Sequence, residues 1–90
     1  MYNIAATSRF KRDLKQLIKR GYRVSLLDEV IAQLASGEAL PDKHRDHPLV
    51  GSYAGCRECH ITPDWLLIYE INHDELLLYL TRTGTHSDLF

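Results

Sequence analysis

Ninety residues, 44% of them hydrophobic and 26% charged, with a formal net charge of −1, describe one small domain that buries only about 60% of its unfolded surface. No apolar run of membrane-spanning length, secretory leader, repeat or low-complexity tract is visible, which argues against a membrane protein, an exported protein or a disordered tail and makes the cytoplasm the expected compartment. The small net charge hides a division: residues 9–23 hold seven cations against Asp13 alone, whereas the rest of the chain holds four cations against eleven carboxylates. A basic element on an acidic body suits a polyanion or an acidic partner on one face.

Residues 2–7 form a short, partly apolar stretch suited to an edge strand, and Thr7 or Ser8 offers a hydroxyl to cap a helix. Phe10, Leu14, Leu17 and Ile18 recur at helical spacing opposite the cations, and Gly21 supplies a left-handed residue to stop that helix. Ser25 is placed to cap a second helix, whose Leu26, Leu27, Val30, Ile31 and Leu34 make an apolar stripe ended by Gly37 and Pro41. The link between them is short, so antiparallel neighbours are expected. Residues 41–52 are polar and irregular, and Pro48 biases His47 toward extended backbone, fixing where its ring projects.

Residues 55–61, 65–71 and 75–81 read as strands separated by Thr62-Pro63-Asp64 and Asn72-His73-Asp74, an antiparallel meander. The consecutive apolar residues of Leu66-Leu67-Ile68-Tyr69 and Leu76-Leu77-Leu78-Tyr79-Leu80 require cover on both faces: helices on one, something else on the other, with a bound partner as one candidate. The expected fold class is α+β: an N-terminal strand, two antiparallel helices, then an antiparallel β-meander with the helices packed on one face, all within a single domain of residues 1–90.

Cys56-Arg57-Glu58-Cys59-His60 matches the C-x-x-C-H signature of covalent haem attachment. On a strand, residues three apart point to opposite faces, so the two thiols do not converge on one porphyrin, one zinc ion or one another. Two free, partly buried thiols in a reducing compartment are the simpler reading, and a haem electron carrier is a remote alternative.

A different set of groups carries the chemistry. A reversal at Thr62-Pro63-Asp64 is expected to bring His60 beside Asp64 and Trp65, where a carboxylate would select the tautomer of the imidazole. His47 lies in the polar loop, and His86 lies near the end of the chain, where Leu89 and Phe90 are placed to pin the tail or offer a ring for stacking on a base. Arg82 is the natural cation for a phosphate. His44 and His73 are left outside the set, as a charged-loop residue and a solvated turn residue. Imidazoles, a carboxylate, a guanidinium and an exposed aromatic together describe RNA cleavage without metal or cofactor: one group deprotonates the 2′-hydroxyl, another protonates the 5′ leaving oxygen, and a cation stabilises the phosphorane.

The spaced pattern Asp46-His47-Pro48-Leu49, Gly51-Ser52, Gly55, Arg57, His60, Pro63-Asp64-Trp65, Leu67-Ile68-Tyr69, then Arg82-Thr83-Gly84-Thr85-His86-Ser87 and Leu89-Phe90, resembles the YafQ-type toxins of the RelE/ParE superfamily. The resemblance runs through nearly the whole chain. It implies a RelE-like type II toxin that cleaves messenger RNA in the A site of the 70S ribosome, leaving 2′,3′-cyclic phosphate and 5′-hydroxyl ends. It also implies a ribbon-helix-helix antitoxin, DinJ- or RelB-like, in a complex of two toxins and two antitoxins. By the same resemblance His47, His60, Asp64 and His86 do acid-base work, with His86 as the proton donor and the base open among the other three. Trp65 lies in the site, and Phe90 positions RNA. The alternative within the superfamily is a ParE-like toxin that acts by binding gyrase without catalysis.

Overall fold

The structure, a computed structural model, describes residues Met1–Phe90. In chain order it comprises strand β1 (Asn3–Ala6), helices α1 (Ser8–Lys19) and α2 (Val24–Ala35), a two-residue strand β2 (His47–Pro48), strands β3 (Arg57–Thr62), β4 (Trp65–Asn72) and β5 (Leu77–Gly84), and a short helix α3 (His86–Leu89). Single 3₁₀ turns at Asp42–His44 and Gly51–Tyr53 punctuate the loop around β2. No helix is long and apolar enough to cross a membrane.

The five strands lie in the order β1-β5-β4-β3-β2. The expected meander β3-β4-β5 is antiparallel throughout, and β1 is an edge strand as expected, pairing parallel to β5 from Asn3 opposite Leu77 to Ala6 opposite Leu80. Two features were not anticipated. His47–Pro48 adds a fifth strand, setting His47 opposite Glu58, and β5 carries an irregularity where its register with β4 shifts between Ile68 and Tyr69.

Thr7 caps α1 by accepting a hydrogen bond from the Phe10 N–H at 3.0 Å, and Gly21 follows the helix at φ 86°. The expected cap of the second helix is not used: Ser25 lies inside α2, and the capping residue Arg23 makes no side-chain cap. Alternation along the strands then sorts the core. Phe10 and Leu17 of α1 and Leu27, Val30 and Leu34 of α2 bury against Cys59, Ile61, Trp65, Leu67, Tyr69, Leu78 and Leu80 of the sheet. Ile18, expected in the buried stripe, is half exposed instead.

On the opposite face Leu66 and Ile68 of β4 pack with Leu89 of α3, flanked by Leu49, Tyr53 and Cys56. For β4 the second cover inferred from the apolar run is thus supplied by the chain's own loop and tail, whereas the β5 run lacks it: Tyr79 is exposed and Leu76, just before the strand, is half exposed. Beyond the end of β1, the free edge of β5 is closed by α1: Asp13 accepts from the Thr83 N–H at 3.2 Å and from the Arg82 guanidinium at 2.7 and 3.0 Å.

Candidate active site

Polar chemistry gathers on the face opposite the helices. Within β3, Cys59 and Ile61 point into the helix-side core, so Glu58 and His60 alternate to the other side, and the β2 pairing lays His47 across from Glu58. Glu58 is only 4% exposed. Its Oε1 lies 3.5 Å from Nε2 of His47 and 3.8 Å from Nε2 of His60. A buried carboxylate between two imidazoles is the centre of the site, and the sequence reading passed over it as part of the haem-like pentapeptide.

The tautomers follow from the other ring nitrogens. Nδ1 of His47 lies 2.6 Å from the Arg45 carbonyl and Nδ1 of His60 lies 3.2 Å from the Pro63 carbonyl. A carbonyl only accepts, so each Nδ1 carries its hydrogen and each neutral ring presents an Nε2 lone pair toward Glu58. Three lone-pair groups then converge on one point of this face.

The backbone that aims His47 is itself fixed. Asp46 accepts from the Tyr69 hydroxyl at 2.6 Å and the Arg57 guanidinium at 3.2 Å, and Arg45 sits at φ 48°, a left-handed conformation that turns its carbonyl onto His47. Burial and the Asp46 carboxylate together hold the Tyr69 phenol well above its ordinary range, so it stays a donor. His44, set aside from the sequence, contributes structurally, with Nδ1 at 2.6 Å from the His60 carbonyl. His73 pairs with the Tyr2 hydroxyl at 2.7 Å, remote from the cluster in chain position and contacts.

His86 comes from the other side of the site, on α3. The Thr85 hydroxyl accepts from the Asp88 N–H while the Asp88 carboxylate accepts from the Thr85 N–H at 2.9 Å, a reciprocal cap that defines this one-turn helix. Asp88 also binds Arg20, the C-terminal cap of α1, at 2.9 Å. The Thr85 N–H first, and Arg20 second, hold the Asp88 carboxyl below its usual range. Gly84 makes room for the cap, since a Cβ there would sit 2.9 Å from Cβ of Asp88. So held, the His86 ring lies 5.9 Å from that of His60 and 6.2 Å from that of Phe90, centroid to centroid.

Three sequence-based placements change. Asp64, expected beside His60, turns its Oδ1 to within 3.9 Å of Nδ1 of His86, while His60 finds the Pro63 carbonyl instead. Arg82, expected as a free cation for phosphate, is clamped by Asp13, whose hydrogen bonds drive the guanidinium further into its charged form. Trp65, expected in the site, is 1% exposed in the helix-side core, donating to the Thr83 hydroxyl at 2.8 Å and meeting Tyr22 edge-on. The parity that sends Trp65, Leu67 and Tyr69 inward leaves its ring no surface to offer RNA. Phe90 is available, 64% exposed and edge-on to Tyr53.

The two thiols lie on opposite faces: Cys59 in the helix-side core, where burial pushes it up to about 12, and Cys56 against the Leu66 and Ile68 cluster. They do not converge on a haem or on each other.

Comparison with known proteins agrees with this frame. The family described as the bacterial toxin of type II toxin-antitoxin system, YafQ, matches residues 2–90. The mRNA interferase toxin YafQ of Escherichia coli K12 is 37% identical over 89 residues, covering 98% of this chain and 95% of that protein. Among solved structures, a metal-bound toxin from Helicobacter pylori superposes with a TM-score of 0.94 at 44% identity, each chain covered in full. YafQ from E. coli BL21(DE3) superposes at 0.92 with 35% identity, covering 100% of this chain and 99% of that one. The toxin of the E. coli DinJ-YafQ complex gives 0.91 at 36% identity, with the same coverage. These likenesses define a toxin of a bacterial type II toxin-antitoxin system. Within that class the chain belongs to the YafQ family.

Proposed function

We propose that this chain is an mRNA interferase, an endoribonuclease that cuts messenger RNA in the ribosomal A site. The observation that carries the reading is the buried Glu58 between the Nε2 atoms of His47 and His60, with a third imidazole, His86, 5.9 Å from His60. The Glu58-centred cluster accepts the proton of the 2′-hydroxyl as that oxygen attacks phosphorus. The bond from phosphorus to the 5′ oxygen breaks, and protonated His86 delivers a proton to that oxygen, with Asp64 orienting its ring from the Nδ1 side. Products are a 2′,3′-cyclic phosphate and a 5′-hydroxyl, and both groups recover their starting states by exchange with water.

Dependence on the ribosome is supported by what the site lacks on its own. Arg82 is committed to Asp13, and His47, Asp64 and His86 are exposed on an open face, so the machinery that holds the message supplies much of the alignment. A DinJ-like antitoxin is the proposed neutralising partner, by likeness to the E. coli DinJ-YafQ complex, and two toxins with two antitoxins is the proposed assembly; the cationic outer side of α1 is suited to an acidic surface.

The test maps cleavage sites and end chemistry on a translated message, with and without ribosomes. His86→Gln and Glu58→Gln should each lower the cleavage rate by about 10²- to 10⁴-fold with unchanged melting temperature. Growth arrest that persists in His86→Gln without any transcript cleavage would replace this reading with a toxin that acts by binding protein.

A further inference from the structure

Bounded by Phe90, the ring neighbour of His86, lies a groove of about 480 Å³ between the first turn of α1 and the Gly51–Tyr53 turn. Arg9, Val50, Ser52, Tyr53, Leu89 and Phe90 line it. Its volume falls in the range of small-ligand pockets, about 300 to 1,000 Å³. Two of its apolar walls are unusually open to solvent, Val50 at 88% and Phe90 at 64% exposure. Its floor is fixed, because Leu89 is buried against Leu66 and Ile68 and the Tyr53 hydroxyl accepts from Arg82, which Asp13 clamps. Arg9 is the cation at the rim and makes no ion pair or side-chain hydrogen bond of its own, unlike Arg20, Arg57 and Arg82. An aromatic wall, a rigid apolar floor and one unpaired guanidinium are complementary to a single unstacked nucleotide and its phosphate.

We infer that this groove binds the nucleotide on the 3′ side of the cut, its base against Phe90 and Val50 and its 3′ phosphate on Arg9. The inference rests on the nuclease reading above and deepens it. The side of the cut follows from the acid: the 5′ oxygen that His86 protonates belongs to the 3′ nucleotide, and Phe90, a wall of the groove, is the ring 6.2 Å from His86. The groove therefore continues along the leaving strand.

The experiment is single-turnover cleavage of a ribosome-bound message over a range of toxin concentrations. Wild type, Arg9→Gln and Val50→Asp are compared; both substitutions sit on exposed positions that the core does not use. Each variant should raise the half-saturating toxin concentration about tenfold at unchanged maximal rate. An abasic residue placed 3′ of the cut should weaken wild type by a similar factor and add little to Val50→Asp, whereas one placed 5′ of the cut should add its full effect. Half-saturation that does not move in either variant overturns the subsite, as does coupling of Val50→Asp to the 5′ abasic residue. Loss of binding to an antitoxin with RNA cleavage unchanged also overturns it and reassigns the groove to a protein. Failure of the wild type itself to cleave overturns the nuclease reading, and the subsite with it.

Discussion

The two faces of the sheet are made from one set of strands and do opposite things. Against the helices, Trp65, Leu67, Tyr69, Cys59 and Leu78 form a dry layer in which the polar groups are paired in place, as Trp65 is to Thr83. On the other side a thin apolar patch of Leu66, Ile68 and Leu89 is followed directly by Glu58 and its two imidazoles. One face specifies the fold and the other spends that rigidity on holding a buried carboxylate in a defined polar setting, which a sheet of this size could not do with both faces wet. Adjacent residues of one strand therefore belong to separate settings: Cys59 to the packed core, Glu58 and His60 to the polar cluster.

This division breaks most visibly at Trp65. Trp65→Ala should destabilise the domain by about 3 to 5 kcal/mol, lowering the urea midpoint, while the cleavage rate per folded molecule changes little. A stable Trp65→Ala protein that no longer cuts would move this residue back to the chemical face. Gly84→Ala sharpens the comparison from the other side. The added Cβ collides with Asp88, so α3 must shift, at about 1 to 3 kcal/mol of local strain, and His86 shifts with it. Calorimetry should show a modest loss of stability, and cleavage assays a loss larger than the unfolded fraction explains.

The smallest effect expected concerns acid. The Asp88 carboxyl titrates below its ordinary value of 3.8 in the folded chain, so the helix cap it provides is complete above that value and is lost as pH falls toward the lower folded value. Replacing Asp88 by Asn should cost about 1 kcal/mol at neutral pH and remove this acid dependence. The readout is the ring proton resonances of His86 and Phe90, which should lose dispersion in acid for the parent chain and show no such transition for the variant.

Local patterns in the chain foretold much of the fold. Apolar spacing marks both helices, consecutive apolar residues mark β4 as doubly covered, and Pro63-Asp64 marks the tight reversal; the same pattern in β5 misleads, because Tyr79 is exposed. Pairings between distant residues were not legible: β1 beside β5, Asp13 on the edge at Thr83, and a strand of only two residues placing His47 opposite Glu58. The site followed the same rule. The histidines stand out by their chemistry, but Glu58 in a strand reads as an outward, solvated charge, and only the β2 pairing and the covered second face bury it. Strand parity carried through the turn, where Thr62 pairs with Trp65, would have put His60 and Trp65 on one side; the irregularity between His60 and Thr62 sets them on opposite sides. Asp64 faces His86 rather than His60 because proximity along a turn does not decide which ring a carboxylate faces.

The shortness of β2 has a consequence beyond the placement of His47. One edge of the sheet ends in β2, two residues of which one is Pro48 without an N–H, and the other ends in the four-residue β1. The rest of β5 is stoppered by Asp13. Only Cys59–Thr62 of β3, which β2 does not reach and His44 meets at the His60 carbonyl, and the outer side of the short β1 are left for a foreign strand to extend. Self-templated aggregation therefore finds few footholds on the free chain, and a protein that captures it gains more by laying helices or side chains across its faces than by joining the sheet.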